Sequence, residues 1–319
     1  MNRDSLPAHA VLAANRIAPY VRETPLEHSP YFSDACGANV YLKLENLQYT
    51  GSFKLRGAFN KLLSLSEAER QAGGVAASSG NHGAAVAYAM QKLGIDGTIF
   101  VPEHTSATKV DAIRRAGGDI RFFGTDGLDT ELHARAYAEQ HGMVYLSPYN
   151  DPDVIAGQAS CGVEIAQQLP DVDVIYIAVG GGGLISGVGA FLKSVRPALR
   201  VVGCQPAASA VMSESVKAGQ IVELESQPTL SDGTAGGIEA GAITFELCRA
   251  VTDEFVLVPE EQIAAAMREF IDAQHMLAEG AAGVALAGLR ARADSHRGQN
   301  AVVIVCGGNV SRDTLKRVI

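Results

Sequence analysis

The sequence predicts an α/β fold with mostly parallel sheets, and three observations predict it. Strand-like and helix-like segments alternate along nearly the whole chain, the pattern that βαβ crossovers leave in a sequence. The run 173–179 is almost wholly apolar, as a parallel strand covered on both faces must be. Glycine-rich turns follow strand-like runs at Gly80 and Gly83, at Gly180 to Gly183, and at Gly307 and Gly308. Open α/β sheets bind ligands at the carboxyl ends of their strands, so three such turns point to one converging site.

Taken in order, residues 40–44 alternate apolar and polar and read as a strand, and a helical pattern follows over 53–65. Helix is expected again over 84–93. Residues 97–101 and 119–123 are short apolar runs on either side of a helical stretch at 107–116. After the buried run at 173–179, strand patterns recur at 201–202, 255–258 and 301–305, with helices between them such as 260–275. No internal repeat or low-complexity linker is visible.

Composition narrows the function classes. The chain has 319 residues, 47% hydrophobic and 19% charged, an ordinary globular balance whose length slightly favours two domains. A net charge of −9 without a basic cluster argues against nucleic acid or an anionic membrane as partner. The first twenty residues lack the continuous apolar stretch of a signal peptide, and no run approaches the roughly 18 apolar residues of a spanning helix. Cys36, Cys161, Cys204, Cys248 and Cys306 are scattered and odd in number, which suits a reducing compartment and neither a zinc site nor a disulfide framework. A soluble cytoplasmic protein is expected.

Four segments carry chemistry. Lys54, in Thr50-Gly-Ser-Phe-Lys-Leu-Arg-Gly57, stands at a predicted helix start, where the dipole favours a neutral, nucleophilic amine; a solvated surface lysine fits the same position. Ser78, Ser79, Gly80, Asn81, His82 and Gly83 open another helix. They read as a nest for a carboxylate or phosphate, or as a structural turn with a cap. Gly180, Gly181, Gly182 and Gly183, followed by Leu184, are costly in chain entropy and let the backbone approach a phosphate. They form neither GxGxxG nor GxxxxGK[ST], which weakens dinucleotide and P-loop readings. Cys306, in Val305-Cys-Gly-Gly-Asn309, is either a thiol facing a cofactor ring or a buried core cysteine.

Together and in this order, the four segments resemble the β-family (fold type II) of pyridoxal-phosphate enzymes, which share the fold of the tryptophan synthase β subunit. Within that family they are most similar to serine/threonine dehydratases and serine racemase. The resemblance runs from Ile17 to Val310 and includes Leu42-Lys-Leu-Glu-Asn-Leu-Gln48 and Asn150-Asp-Pro-Asp-Val-Ile-Ala-Gly-Gln158. It implies two α/β domains with pyridoxal 5'-phosphate in the cleft between them. A small mobile domain would span 51–147, and a large domain 1–50 and 148–319. It implies that Lys54 is the Schiff-base lysine, with Phe53 beside the cofactor. Asn81 would meet the ring hydroxyl, Asn150 would be a second cofactor-side asparagine, and Cys306 would lie opposite the pyridine nitrogen. Residues 180–183 and Leu184 would cradle the phosphate, while Ser78, Ser79, Gly80, Asn81 and His82 clamp the substrate carboxylate. Gly233 and Glu279 would lie near the cofactor; for Glu279, a charge at a helix N-terminus explains the position equally well.

The activity implied is β-elimination from L-threonine or L-serine, giving the 2-oxo acid and ammonia, with Lys54 as general base. The alternative is a serine or hydroxyaspartate racemase in which Lys54 and Ser79 act as two bases. Asn81-His82-Gly83 differs from the threonine-rich loop of the β-replacement enzymes. Gln205 and Val211 stand where cation-activated relatives carry carboxylates, so no metal site is expected. The chain ends soon after Asn309, so no appended regulatory domain is expected either. A homodimer acting on a small hydroxy-amino acid is the expectation.

Overall fold

The computed structural model describes residues 2–319. Its strands are β1 (Leu26–His28), β2 (Asn39–Lys43), β3 (Gly74–Ala77), β4 (Gly97–Val101), β5 (Asp119–Phe122), β6 (Val144–Tyr145), β7 (Val174–Ala178), β8 (Arg200–Pro206), β9 (Glu254–Val258) and β10 (Asn300–Ile304). They form two sheets, one of six strands in the order β1-β2-β10-β7-β8-β9 and one of four in the order β5-β4-β3-β6. Among the described residues every pairing is parallel except β1 with β2. The predicted α/β class with mostly parallel sheets is what the chain adopts.

Central position explains the apolar runs. All five residues of β7 are buried, because helices cover both faces of the six-stranded sheet and its core gathers Val174, Ile175, Tyr176 and Ile177 with Val302 and Val303 of β10. The four-stranded sheet has its own core, in which Leu55, Phe59 and Leu62 pack against Val86, Met90 and Ile99. Expected elements appear within a few residues: helices Lys54–Ser64, Ala107–Arg115 and Glu260–Gln274. The helix expected at 84–93 starts three residues earlier, as Asn81–Leu93, so Asn81 and His82 belong to its first turn. Strands β1, β3 and β6 carried no legible signal. β1 and β6 are two or three residues long, and β3 reads Gly-Val-Ala-Ala, a composition that suits a strand only when neighbours bury it.

The helix Lys54–Ser64 is fixed by a charge network as well as by its apolar face. Arg56 is fully buried and donates to Glu45 at 2.7 and 2.8 Å and to Glu164 at 2.6 and 2.8 Å. Buried Lys43 reaches Glu164 at 2.6 Å, and the Thr24 hydroxyl donates to Glu45. Burial pushes the Glu45 carboxyl up, but Arg56 and Lys43 outweigh it and hold the group below its usual range. Two cations meet two carboxylates here, which makes burial of Lys43, Arg56 and Glu45 beside the half-buried Glu164 tolerable.

Candidate active site

The three glycine turns do converge. β3, β7 and β10 end at one large cavity, of volume about 1660 Å³, which opens between the two sheets. Lys54 is the first residue of its helix, and its loop is pinned to the end of β10. Ser52 forms an isolated antiparallel bridge with Gly307, and the Phe53 amide donates to the Cys306 carbonyl at 3.0 Å. Two residues far apart in sequence are thereby held side by side at the cavity floor.

The Lys54 amine donates to the Pro148 carbonyl at 2.8 Å and lies 5.3 Å from the centre of the Phe53 ring. The side chain is half-buried. Crowding by protein atoms drives its pKa down to about 8, against smaller opposing pulls from Cys306 and Glu279. The amine thus lies in the cavity, half-buried and bonded to a backbone carbonyl, and not on the open surface.

The loop after β3 forms the opposite wall. The Gly80 amide donates to Ser78 Oγ at 3.2 Å, and Ser79 lines the cavity, half-buried. Gly83 is required by a close approach, since a Cβ there would lie 2.1 Å from the Ser78 carbonyl oxygen. Asn81 sits in a chain of amides: Asn309 Nδ2 donates to Asn81 Oδ1 at 2.8 Å, and Asn81 Nδ2 donates to both oxygens of Glu279 at 2.8 and 3.0 Å. His82 lines the cavity and is buried, with Nε2 2.8 Å from the Leu146 carbonyl. Burial and the Lys54 charge push its pKa down to about 3, so the ring is neutral and ties the loop to the end of β6.

The turn after β7 makes a cradle. Gly182, at φ 85°, is the N-cap of the helix Gly183–Val195, whose first turn carries no acidic residue. Residues 180 to 183 thus line the cavity at the N-terminus of a helix, an arrangement suited to a phosphate. Tyr149 roofs the cradle: a Cβ on Gly181 would lie 2.4 Å from its ring, and one on Gly180 would meet Thr234 at 3.0 Å. Leu184 lines the same end.

Glu279 is the N-cap residue of the helix Gly280–Ala291, yet it makes no side-chain capping bond. It turns instead to Asn81 and the cavity, where burial raises its pKa to about 7. Gly233 lies across from it, where an added Cβ would be 3.8 Å from Ala281 Cβ and 3.9 Å from Glu279 Oε1. Cys306 is buried, and burial followed by the neighbouring Glu279 pushes its thiol upward, so it is neutral. Phe53, Lys54, Ser78, Ser79, Gly80, Asn81, His82, the four glycines, Leu184, Gly233, Glu279 and Cys306 therefore share one cavity.

Asn150 is the exception. It lies outside the lining, and its Oδ1 accepts the Ile243 amide at 2.9 Å, holding the start of the helix Ile243–Val251. Sequence reasoning missed Tyr149 and Asn309. Asn309 had a signal, directly after the last glycine turn; Tyr149 had none, being one tyrosine beside a proline. Gln205, which stands in place of a carboxylate, has both ends of its amide engaged, donating to the Val179 carbonyl at 3.1 Å and accepting the Ser213 amide at 2.8 Å. Among the described residues no group of three or more His, Cys, Asp or Glu is gathered for a metal, and no helix is long and apolar enough to cross a membrane.

The cavity suits a planar ring bearing an aldehyde and a phosphate. The low-pKa amine stands within it, the glycine cradle leaves room and amides for the anion, and a neutral thiol and a carboxamide chain flank the floor between them. Fold and site together define an enzyme class that works through a covalently held pyridoxal cofactor. The family model for pyridoxal-phosphate dependent enzymes matches residues 17–307, and the chain belongs to that family. Its cofactor is pyridoxal phosphate. The chain is 41% identical over 299 residues to an L-threonine ammonia-lyase of Thermotoga maritima, covering 94% of this chain and 74% of that one. It is 37% identical over 308 residues to the catabolic L-threonine dehydratase of Escherichia coli K12, covering 96% and 93%. Among solved structures, the processed threonine deaminase isoform 2 of Solanum lycopersicum matches with a TM-score of 0.95 at 36% identity, over 100% of this chain and 93% of that one. Maize serine racemase matches with 0.92 at 31%, over 98% and 95%.

Proposed function

We propose that this protein is a threonine/serine dehydratase, releasing ammonia and a 2-oxo acid from L-threonine or L-serine. The observation that carries the reading is the place of Lys54: a low-pKa amine between a phosphate cradle on one sheet and a carboxylate nest on the other. The kinship with threonine ammonia-lyases and dehydratases supports the substrate.

Lys54 would hold the cofactor, with residues 180–183 and the dipole of their helix holding its phosphate. The bound cofactor supplies an electron sink for the bond broken at Cα. The loop Ser78 to Asn81 would bind the substrate carboxylate through its amides and hydroxyls. Lys54, whose amine stands in the cavity, would take the Cα proton of the substrate as general base. The neutral thiol of Cys306 would place no negative charge beside the cofactor ring. Residues 51–147 would act as a unit that closes on substrate and excludes water; the separate sheet and core of that segment support this. The working site would be the cytoplasm and the working form a homodimer.

Ser79 supports a second reading. It lines the cavity, and its hydroxyl makes no hydrogen bond among the described residues, so it could face Cα as a second base in a racemase.

Assaying the purified protein with L- and D-serine, L-threonine and L-threo-3-hydroxyaspartate decides between them, following oxo acid and enantiomer ratio together. Oxo acid from L-threonine that disappears in Lys54→Ala is the expected outcome. Inversion that exceeds elimination and is lost in Ser79→Ala would overturn it in favour of the racemase.

A further inference from the structure

Residues 219–242 form neither helix nor strand, an unusual length of irregular chain for a compact α/β protein and of the kind that serves a site. Within it Leu230, Asp232, Gly233, Thr234 and Ala235 line the cavity. One end of this wall is tied to the six-stranded sheet's side of the molecule, where the Thr229 hydroxyl and Leu230 amide donate to Glu260 at 2.6 and 2.7 Å. The other end is held at Glu239. Its amide donates to the Tyr149 hydroxyl at 3.0 Å, and its Oε2 accepts from Arg135 at 2.9 Å.

Arg135 belongs to the helix Gly127–His141, which packs on the four-stranded sheet and whose Gly127 and Thr130 also line the cavity. The guanidinium is held ready, bonded to Glu131 at 2.7 and 3.0 Å and lying 4.2 Å from the centre of the Tyr145 ring. Through Tyr149 the same contact reaches the glycine cradle, because that ring packs on Gly181.

We infer that Glu239 is a positioning residue for substrate binding: paired with Arg135, it fastens the cavity wall at 232–235 to the helix that forms part of the wall opposite. The pair bridges the two sheets at the cavity rather than within either core, so its energy is spent on the shape of the site. Loss of the pair loosens the wall and weakens substrate binding while the Lys54 chemistry stays in place. The inference rests on the reading of this cavity as an amino-acid site.

The test is a double-mutant cycle on the holoenzyme with Arg135→Gln, Glu239→Gln and the double variant. Two quantities are read: amide hydrogen exchange over 226–242, and KM and kcat for L-threonine. Each single variant is expected to speed exchange over 226–242 and to raise KM about fivefold, the upper range for a partly exposed ion pair, with the change falling on KM more than on kcat. The double variant should match the singles, because a pair broken once is broken fully. Unchanged exchange in Arg135→Gln, or effects that add in the double, would overturn the pairing. A loss confined to kcat would place Glu239 in the chemistry and overturn the positioning role. Should the wild-type protein not turn over threonine at all, the dehydratase reading fails, and the exchange cycle by itself still decides whether the clasp exists.

Discussion

Lys54 shows how far one residue's chemistry depends on its surroundings. In the sequence it is a lysine near a helix start; in the fold it stands beside Cys306 and Glu279, crowded enough to lose its proton at about pH 8 instead of 10.5. The sign follows directly. Below that value the amine is protonated and cannot attack an aldehyde, and above it the lone pair is free. Capture of pyridoxal phosphate by the cofactor-free protein, followed by its absorbance, should therefore speed up with rising pH and level off above about pH 8. A rate still climbing at pH 10 would mean an ordinary solvated lysine. Its neighbours were legible to different degrees. Cys306 and Asn81 lie in short motifs with glycines, where composition betrays them; Tyr149 is placed by distant groups, its ring on Gly181 and its hydroxyl on the Glu239 amide.

Among the elements, the helix Lys54–Ser64 carries the most consequence. Its apolar face could be read from spacing, but its buried arginine could not, since nothing local pairs Arg56 with Glu164 across 108 positions. That network anchors the turn bearing Lys54 to the helix Pro152–Gln168. Arg56→Met leaves the buried Glu45 and the half-buried Glu164 with only Lys43 to offset them, and should cost about 3–5 kcal/mol, measured by urea unfolding. A loss within 1 kcal/mol would show that water reaches the carboxylates. Strand β6 makes the converse point. Two residues carry no periodicity, yet they complete the four-stranded sheet and bring Leu146 to His82.

For the whole molecule, the site is a property of two sheets meeting. β3 belongs to one sheet and β7 and β10 to the other, and the walls they carry touch through polar pairs that include Asn81 with Glu279, Lys109 with Asp232 and Arg135 with Glu239. A cofactor held by Lys54 and the glycine turn after β7, as proposed, would join both halves and bind the folded state alone. Adding pyridoxal phosphate at about 100 times its dissociation constant should stabilise the protein by about 2.7 kcal/mol, seen as a rise in Tm that inorganic phosphate at equal concentration does not reproduce. Equal shifts with phosphate would mean that the cradle alone is filled and Lys54 is idle.

By itself the sequence determined the α/β class, the order of most strands and helices, and the four segments that meet at the cavity. These are consequences of local pattern: burial on both faces makes a strand apolar, and close approach of backbone demands glycine. Only the tertiary structure decided that Lys54 would be crowded into a low pKa, that Asn150 would hold a helix start instead of lining the cavity, and that Glu239 would meet Arg135. Each of these depends on groups separated by tens or hundreds of residues, and burial and electrostatic coupling are set by distance in space, which no local pattern records.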